Sequence, residues 1–266
     1  MGGLNVSFKS TPQGALDLSA LSHLLFSNLE SSVLMRMPFA SGQLGDYVTI
    51  TETGTADVIV LSGTTRTCLG VGAGLRAGRL IVEGDVGAMA GRKMSGGHLD
   101  IRGSAGDFLA SGMTGGLLTV AGRAGDYAGG QPSGEKFGMA GGTVHIAGDL
   151  GERAGERMRR GLIVVNGRTG VATGSRMAGG TIWALGGLGA GAGPMMRRGT
   201  LIAPSAQHIL PTFADCGRHD LNFLGILSRH VRAVLGPLAP GPLPEMVQRF
   251  AGDFATIGKG EILLTA

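Results

Sequence analysis

Cysteine, aromatic side chains and proline are all in short supply in this sequence, and each shortage removes a class of explanation. Only Cys68 and Cys216 occur in 266 residues, too few for a disulfide framework and in keeping with a reducing compartment. With no C-x-x-C pair and no clustered His/Cys spacing, no zinc or iron–sulfur site is expected. Nine Phe, two Tyr and one Trp leave no aromatic interleaving for base stacking, so nucleic acid is not an expected partner. No apolar run approaches the length of a membrane span. The opening MGGLNVSFKS lacks a signal-peptide core, and Val6 breaks the myristoylation pattern. The chain therefore reads as cytoplasmic, with no membrane contact. Ten prolines against fifty-one glycines, with a positive mean hydropathy, describe folded glycine-rich structure and not disorder.

What the chain has instead is a glycine repeat. Gly78, Gly97 and Gly116 stand 19 apart, and after a gap of 26 the series resumes through Gly142, Gly161, Gly180 and Gly199 at the first spacing. The gap is one period plus a seven-residue insertion, placed around Gly130–Gly138. Further glycines follow each anchor at constant offsets, so each unit reads G-x-x-G-x-x-x-G, as at Gly84, Gly87 and Gly91; Ala110 is the one exception. Such fixed self-similarity means a stacked, solenoid-type architecture. Two and four places after the anchors stand apolar pairs, from Leu80/Val82 and Leu99/Ile101 to Ile182/Ala184, often with a polar residue between (Asp100, Thr119, His145). That is the alternation of a half-buried strand. Three places before an anchor come Met94, Met113, Met139, Met158, Met177 and Met196, six of the twelve methionines. Equivalent positions in a stack lie about 4.8 Å apart, so both columns become apolar ladders in a narrow interior that thioethers can fill. So many interior glycines, at about 1 kcal/mol each, exclude helices here.

The expected fold is all-β: a right-handed parallel β-helix of about 19 residues per coil, with an N-terminal cap and a C-terminal helix-containing extension. Its parts are residues 1–45 (cap), 46–203 (β-helix) and 204–266 (helix and docking arm), because a solenoid's ends need atypical pieces to cover them. Strands are expected at Leu4–Phe8, Tyr47–Ile50 and Val58–Leu61, with a partly helical stretch over Ala15–Asn28. Leu201 and Ile202 finish the last repeat strand. Asp220 is placed to cap a helix over Leu221–Leu235, Gly236-Pro237 to end it, and PLAPGPLP to act as a rigid connector. Met246–Phe250 and Glu261–Leu264 complete the arm.

Formal charge is only +4, but cations gather at one corner of the repeat: Arg92-Lys93, Arg157, Arg159, Arg160, Arg176, Arg197 and Arg198. Arg157 and Arg176 share an offset and should stack directly. The corner is either a solvated surface or a face for an acidic partner or polyanionic ligand. Glycine strings at Gly70–Gly74 and Gly187–Gly191 invite a phosphate-cradle reading, but the repeat already explains them. Six histidines (His23, His98, His145, His208, His219, His230) are scattered, with His145 on an outer strand face and His98 near a corner. Asp107 and Asp126 share an offset and could share a proton, though an exposed carboxylate ladder explains them equally. No nucleophile, base and orienter can be assembled, so no catalytic residue and no metal ligand is assigned.

The G-x-x-G-x-x-x-G repeat at this period, over about residues 40–200, resembles the β-helical C-terminal domain of glutamate synthase and the formylmethanofuran dehydrogenase C-subunit family. The tail TFADCGRHDLNFLGILSRHVRAVL…GKGEILL is similar to the latter. That resemblance implies a non-catalytic scaffold subunit in one of two complexes. One is a tungsten or molybdenum formylmethanofuran dehydrogenase. The other is the bacterial formyltransferase/hydrolase complex, which moves formyl from formyl-tetrahydromethanopterin to a methanofuran-type cofactor and releases formate. The Ala/Arg/Gly-rich composition and basic pI favour the second; a glutamate-synthase-like structural domain is the other alternative. The implied partners are an amidohydrolase-like hydrolase subunit, a formyltransferase subunit and a pterin-enzyme-like subunit. The methanofuran-type cofactor would be held by the complex, with none bound by this chain alone. Such cofactors carry glutamates, so Arg157, Arg159, Arg160, Arg176, Arg197 and Arg198 become candidates for binding a polyglutamate tail or a partner.

Overall fold

The computed structural model describes residues 3–12, 14–22, 30–54 and 57–265. Most of it is one sheet of thirteen strands, mostly parallel. In chain order these are β1 (Gly3–Phe8), β2 (Val48–Thr53), β3 (Val58–Ser62), β4 (Arg79–Glu83), β5 (His98–Ile101), β6 (Leu117–Val120), β7 (Ala140–Ile146), β8 (Arg160–Val165), β9 (Ala178–Ala184), β10 (Arg198–Ala203), β11 (Ala214–Asp220), β12 (Met246–Gly252) and β13 (Lys259–Leu264). Among the described residues the complete α-helices are few: α1 (Ser31–Leu34), α2 (Leu44–Tyr47) and α3 (Phe223–Leu235). From β3 to β10 each strand pairs in parallel with the next, and β4 to β10 follow the glycine period: Leu80 faces Leu99, which faces Leu118, then Val144, Ile163, Ile182 and Leu201. A second line of parallel bridges runs Val86, Ala105, Ala124, Leu150, Thr169.

This register explains why the glycine and methionine columns occur together. Met94, Met113, Met139, Met158, Met177 and Met196 are all fully buried. A Cβ added to Gly161 would lie 2.8 Å from the Met139 terminal methyl, and one on Gly180 2.8 Å from that of Met158. Each thioether thus occupies the space that the next anchor glycine leaves open. Gly260 in β13 also leaves room for the methionine of the preceding repeat, since a Cβ there would lie 2.8 and 2.9 Å from the Met196 Cγ and Sδ, so the packing rule outlasts the sequence repeat.

The exception at Ala110 has a matching exception elsewhere. A Cβ on Gly129 would lie 2.8 Å from the Ile163 Cδ1, and one on Gly155 2.6 Å from that of Ile182. The residue that stands in this relation to Ala110 is Val144, which has no δ carbon. Ala110 has φ +56°, a strained angle for a residue with a Cβ, and it is fully buried.

Leu201 and Ile202 lie in the last repeat strand, β10, as expected, and the sheet continues beyond it. β13 pairs in parallel with β10, and β12 and β11 add antiparallel strands beyond it. Asp220 closes β11 opposite Met246, so it does not cap the helix; α3 starts at Phe223 after Asn222, with no side-chain cap. The helix lies over the outward face of the sheet. Its Leu224, Val231 and Leu235 form a second apolar cluster with Val164, Trp183, Ile202 and Leu263. At the other end β1 sits inside the sheet, parallel to β3 and antiparallel to β2. Of the stretch expected to be partly helical, Ala15–Asn28, residues 23–28, and with them His23, lie outside the described residues. Within the described part Leu16–Asp17 is instead a short strand paired with Cys68–Leu69, while Leu21 and Ser22 are helical.

His145 lies on the outward face, as expected, in the row of Val164 and Trp183, but it is buried there, at 2 % exposure. Burial holds its imidazole below the ordinary value of 6.5, against a hydrogen bond with Asn166. At His98 burial acts with the Arg79 charge and against Asp100, again lowering the pKa.

Two outcomes are expected. Val144→Ile should destabilise the chain by about 1–3 kcal/mol through overpacking, and Ala110→Gly should restore most of that loss in urea titration; additive effects would show that the two sites do not touch. Secondly, an unfolded chain binds protons at His98 and His145 at a pH where the native chain does not. Unfolding free energy should therefore fall as pH drops through about 6.5 and level off above it. The double variant His98→Gln/His145→Gln should lose that part of the slope, and an unchanged slope would place its origin elsewhere.

Candidate functional site

The cationic corner arises from backbone shape. Arg157 and Arg176 occupy one offset in successive repeats, with φ +54° and +52°, and Met195 (φ +59°) takes the same place in the next. Their backbone N–H groups hold this bend: Arg157 donates to Ser175 O at 3.0 Å and Arg176 to Pro194 O at 2.8 Å. The three side chains therefore emerge in a row, one repeat apart.

The insertion supplies the facing wall. Glu135 takes a hydrogen bond from Arg92 at 2.5 Å and an ion pair from Lys93 at 3.2 Å. The Arg92 bond, helped by Lys93 and opposed by burial, holds the Glu135 carboxyl below its ordinary pKa. This anchor sets Lys136 and Phe137 beside the arginine row, and the Arg159 guanidinium lies 4.1 Å from the Phe137 ring centre, within cation–π range. A third side comes from the β12–β13 turn, where Asp253 Oδ2 accepts from Met195 N at 2.8 Å and Thr256 Oγ1 donates to Met196 O at 2.7 Å.

The result is a groove of about 270 Å³ lined by Lys136, Phe137, Arg157, Arg176, Ala178, Met195, Arg197 and Thr256. Of the six candidate arginines, Arg157, Arg176 and Arg197 line it and Arg159 stacks behind Phe137. Arg160 and Arg198 open β8 and β10 as exposed residues outside the lining. Arg176 also reaches Glu156 at 3.5 Å. Sequence reasoning missed Lys136, Phe137, Met195 and Thr256. Two signals pointed to the first three: the insertion is where the period breaks, and Met195 stands where the two preceding repeats have arginine; no pattern in the sequence pointed to Thr256.

The other candidates resolve differently. Asp107 Oδ1 accepts from the Asp126 backbone N–H at 2.9 Å, and Asp126 Oδ1 from that of Glu152 at 2.7 Å. Asp85 and Asp149 do the same for Ser104 and Arg168, so these carboxylates cap the backbone of the following repeat. In the Gly187–Gly191 string, Leu188 and Gly191 donate to Ser205 O and His208 O, leaving those amides no role in a phosphate cradle. Among the described residues no three or more His, Cys, Asp or Glu side chains gather as metal ligands, and no helix is long and apolar enough to cross a membrane. A larger cleft of about 510 Å³ beside α3 mixes Asp220 and Glu245 with Arg229 and Arg232, so its charges do not converge on one sign.

If Glu135 anchors the insertion, Glu135→Gln should raise exchange of the Gly138 and Met139 amides about tenfold or more, the scale of losing a charge-assisted hydrogen bond. These amides donate to Arg157 O and Gly129 O. Unchanged protection would show that the loop is held some other way.

No family model matches the chain. The chain is 50 % identical over 255 residues to the C subunit of the formyltransferase/hydrolase complex Fhc of Methylorubrum extorquens, covering 94 % of this chain and 95 % of that one. It also matches a chain in the crystal structure of the formyltransferase/hydrolase complex (FhcABCD) from Methylorubrum extorquens in complex with methylofuran. There the TM-score is 0.90 and the identity 37 %, over 98 % of this chain and 99 % of the other. Agreement of sequence and fold along nearly the whole of both chains shows that this protein belongs to the family of Fhc C subunits.

Proposed function

We propose that this chain is a non-catalytic scaffold subunit of a formyltransferase/hydrolase complex. That complex moves formyl from formyl-tetrahydromethanopterin to a methanofuran-type cofactor, and water then releases it as formate. The observation that carries this reading is end-to-end similarity to a subunit of such a complex, 50 % identical over 94 % of this chain. The neighbouring complex holds methylofuran, which supports a cofactor of that type in the assembly, carried by other subunits. The partners are an amidohydrolase-like hydrolase subunit, a formyltransferase subunit and a pterin-enzyme-like subunit, in the cytoplasm. The relative's name favours this complex over a tungsten or molybdenum dehydrogenase or a glutamate-synthase-like domain.

Within the chain, residues 46–203 wind as a right-handed parallel β-helix of about 19 residues per coil, with 1–45 as cap and 204–266 as helix and docking arm. The 19-residue pairing of Leu80 with Leu99 and Leu118 and the parallel bridges from Val86 to Thr169 support that winding. The scaffold role is supported by the aspartates, whose carboxylates bind backbone amides.

Purified alone, the chain should show no formyl transfer and no formyl hydrolysis; co-expressed, it should purify with formyltransferase and amidohydrolase-like subunits. Turnover by the isolated chain that vanishes in Asp107→Asn would overturn the scaffold reading. Glutaminase or FMN-enzyme partners would favour the glutamate-synthase alternative.

A further inference from the structure

The groove at the insertion combines features that a solvated corner does not need. Its four lining cations, Lys136, Arg157, Arg176 and Arg197, face no carboxylate in the lining. Only Arg176 among them has an ion-pair partner among the described residues. On the sheet's outward face, by contrast, Arg79, Arg102 and Arg249 each meet a carboxylate, at 2.9, 3.0 and 3.0 Å. Beside the cations two large apolar side chains stand in solvent, Phe137 and Met195 (37 and 48 % exposed), and the turn that bears Thr256 also exposes Phe254 and Ile257. Carboxylates alone would make no use of Phe137 or Met195, and surface ion pairs contribute only about 0–1 kcal/mol each. Aromatic, methionine and arginine side chains packed together are the composition of a protein-docking centre. The groove's 270 Å³ falls below the ~300 Å³ at which pockets begin to enclose an organic cofactor, but it admits a side chain.

We propose that this groove seats an acidic segment of a neighbouring subunit, one that carries an aromatic or long aliphatic side chain among its carboxylates. The inference rests on the assignment of this chain to a multi-subunit complex. The arginine forks bind the carboxylates in pairs, while Phe137 and Met195 cover the apolar side chain. The wall is already fixed by Glu135, Asp253 and Thr256, so docking orders little of this chain and loses little entropy.

The test uses the reconstituted complex, with two variants of this protein: Arg157→Glu/Arg197→Glu and Phe137→Ser. Both should weaken association with the remaining subunits about tenfold or more in sedimentation or size-exclusion titrations. A photo-crosslinking residue in place of Met195 should join one neighbour at a stretch rich in Asp or Glu. Folded variants that assemble with wild-type affinity overturn the proposal. So does a result in which assembly is intact and only the arginine variant changes how turnover depends on cofactor tail length, since the groove would then serve the tail. Should the arginine variant not fold, Phe137→Ser, on an exposed loop, remains decisive. A wild-type chain that joins no formyltransferase or hydrolase subunit would instead refute the assignment to the complex, whatever the groove variants do.

Discussion

The structure depends on in-register parallel pairing, in which each residue lies against its own counterpart from the neighbouring repeat. Every side chain must therefore be compatible with copies of its own position above and below. Apolar columns such as Leu80–Leu99–Leu118 satisfy this at once. Positions where the backbone turns satisfy it only when a repeat brings nothing to collide with. A Cβ on Gly106 would lie 2.8 Å from the Ala88 backbone nitrogen, and in-register stacking repeats that close approach from unit to unit. Aspartate contributes the complementary device, since one carboxylate oxygen binds the N–H of the next repeat's backbone.

A sheet built this way has no natural end, and each end is treated differently. At one, β1 and β2 close with an antiparallel pair. At the other, β13 copies the repeat's geometry, down to Gly260 against Met196, before β12 and β11 turn antiparallel. The outward row follows the same division. Where α3 lies over it, the row is Val164, Trp183 and Ile202. Further along it is polar, with Arg79 bound to Asp100 and Thr119 donating to the same carboxylate. The side chains change character where the tail's cover stops.

The repeat was legible in the sequence because its period is a direct image of the pairing register. The methionine column and the arginine row could be read from spacing alone. The start of α3 could not: Ala214–Asp220 carries three charged residues and a glycine, reads as loop, and becomes a strand only because β12 lies beside it. His145 was placed on the correct face, but its burial follows from outward neighbours that strand periodicity does not describe. The insertion could be located but not interpreted. Its Glu135 finds Arg92 and Lys93 more than forty residues away, and no local pattern encodes that meeting.

Repetition also limits what such a surface can recognise. If every repeat presents the same side chains, a ligand shifted by one unit meets the same surface, and position along the stack carries no information. Specificity has to come from departures from the repeat. Three of them meet in the groove: the insertion that brings Lys136 and Phe137, the methionine that replaces an arginine at residue 195, and the β12–β13 turn that brings Thr256. Arg157 and Arg176 supply charge that any repeat could supply. In the docking proposed above, the irregular residues would fix where along the stack that charge can be used, by rejecting a partner that cannot also cover Phe137 and Met195. Local consistency tends to fail at functional sites, and here the broken period lies at a groove where cations and exposed apolar side chains converge.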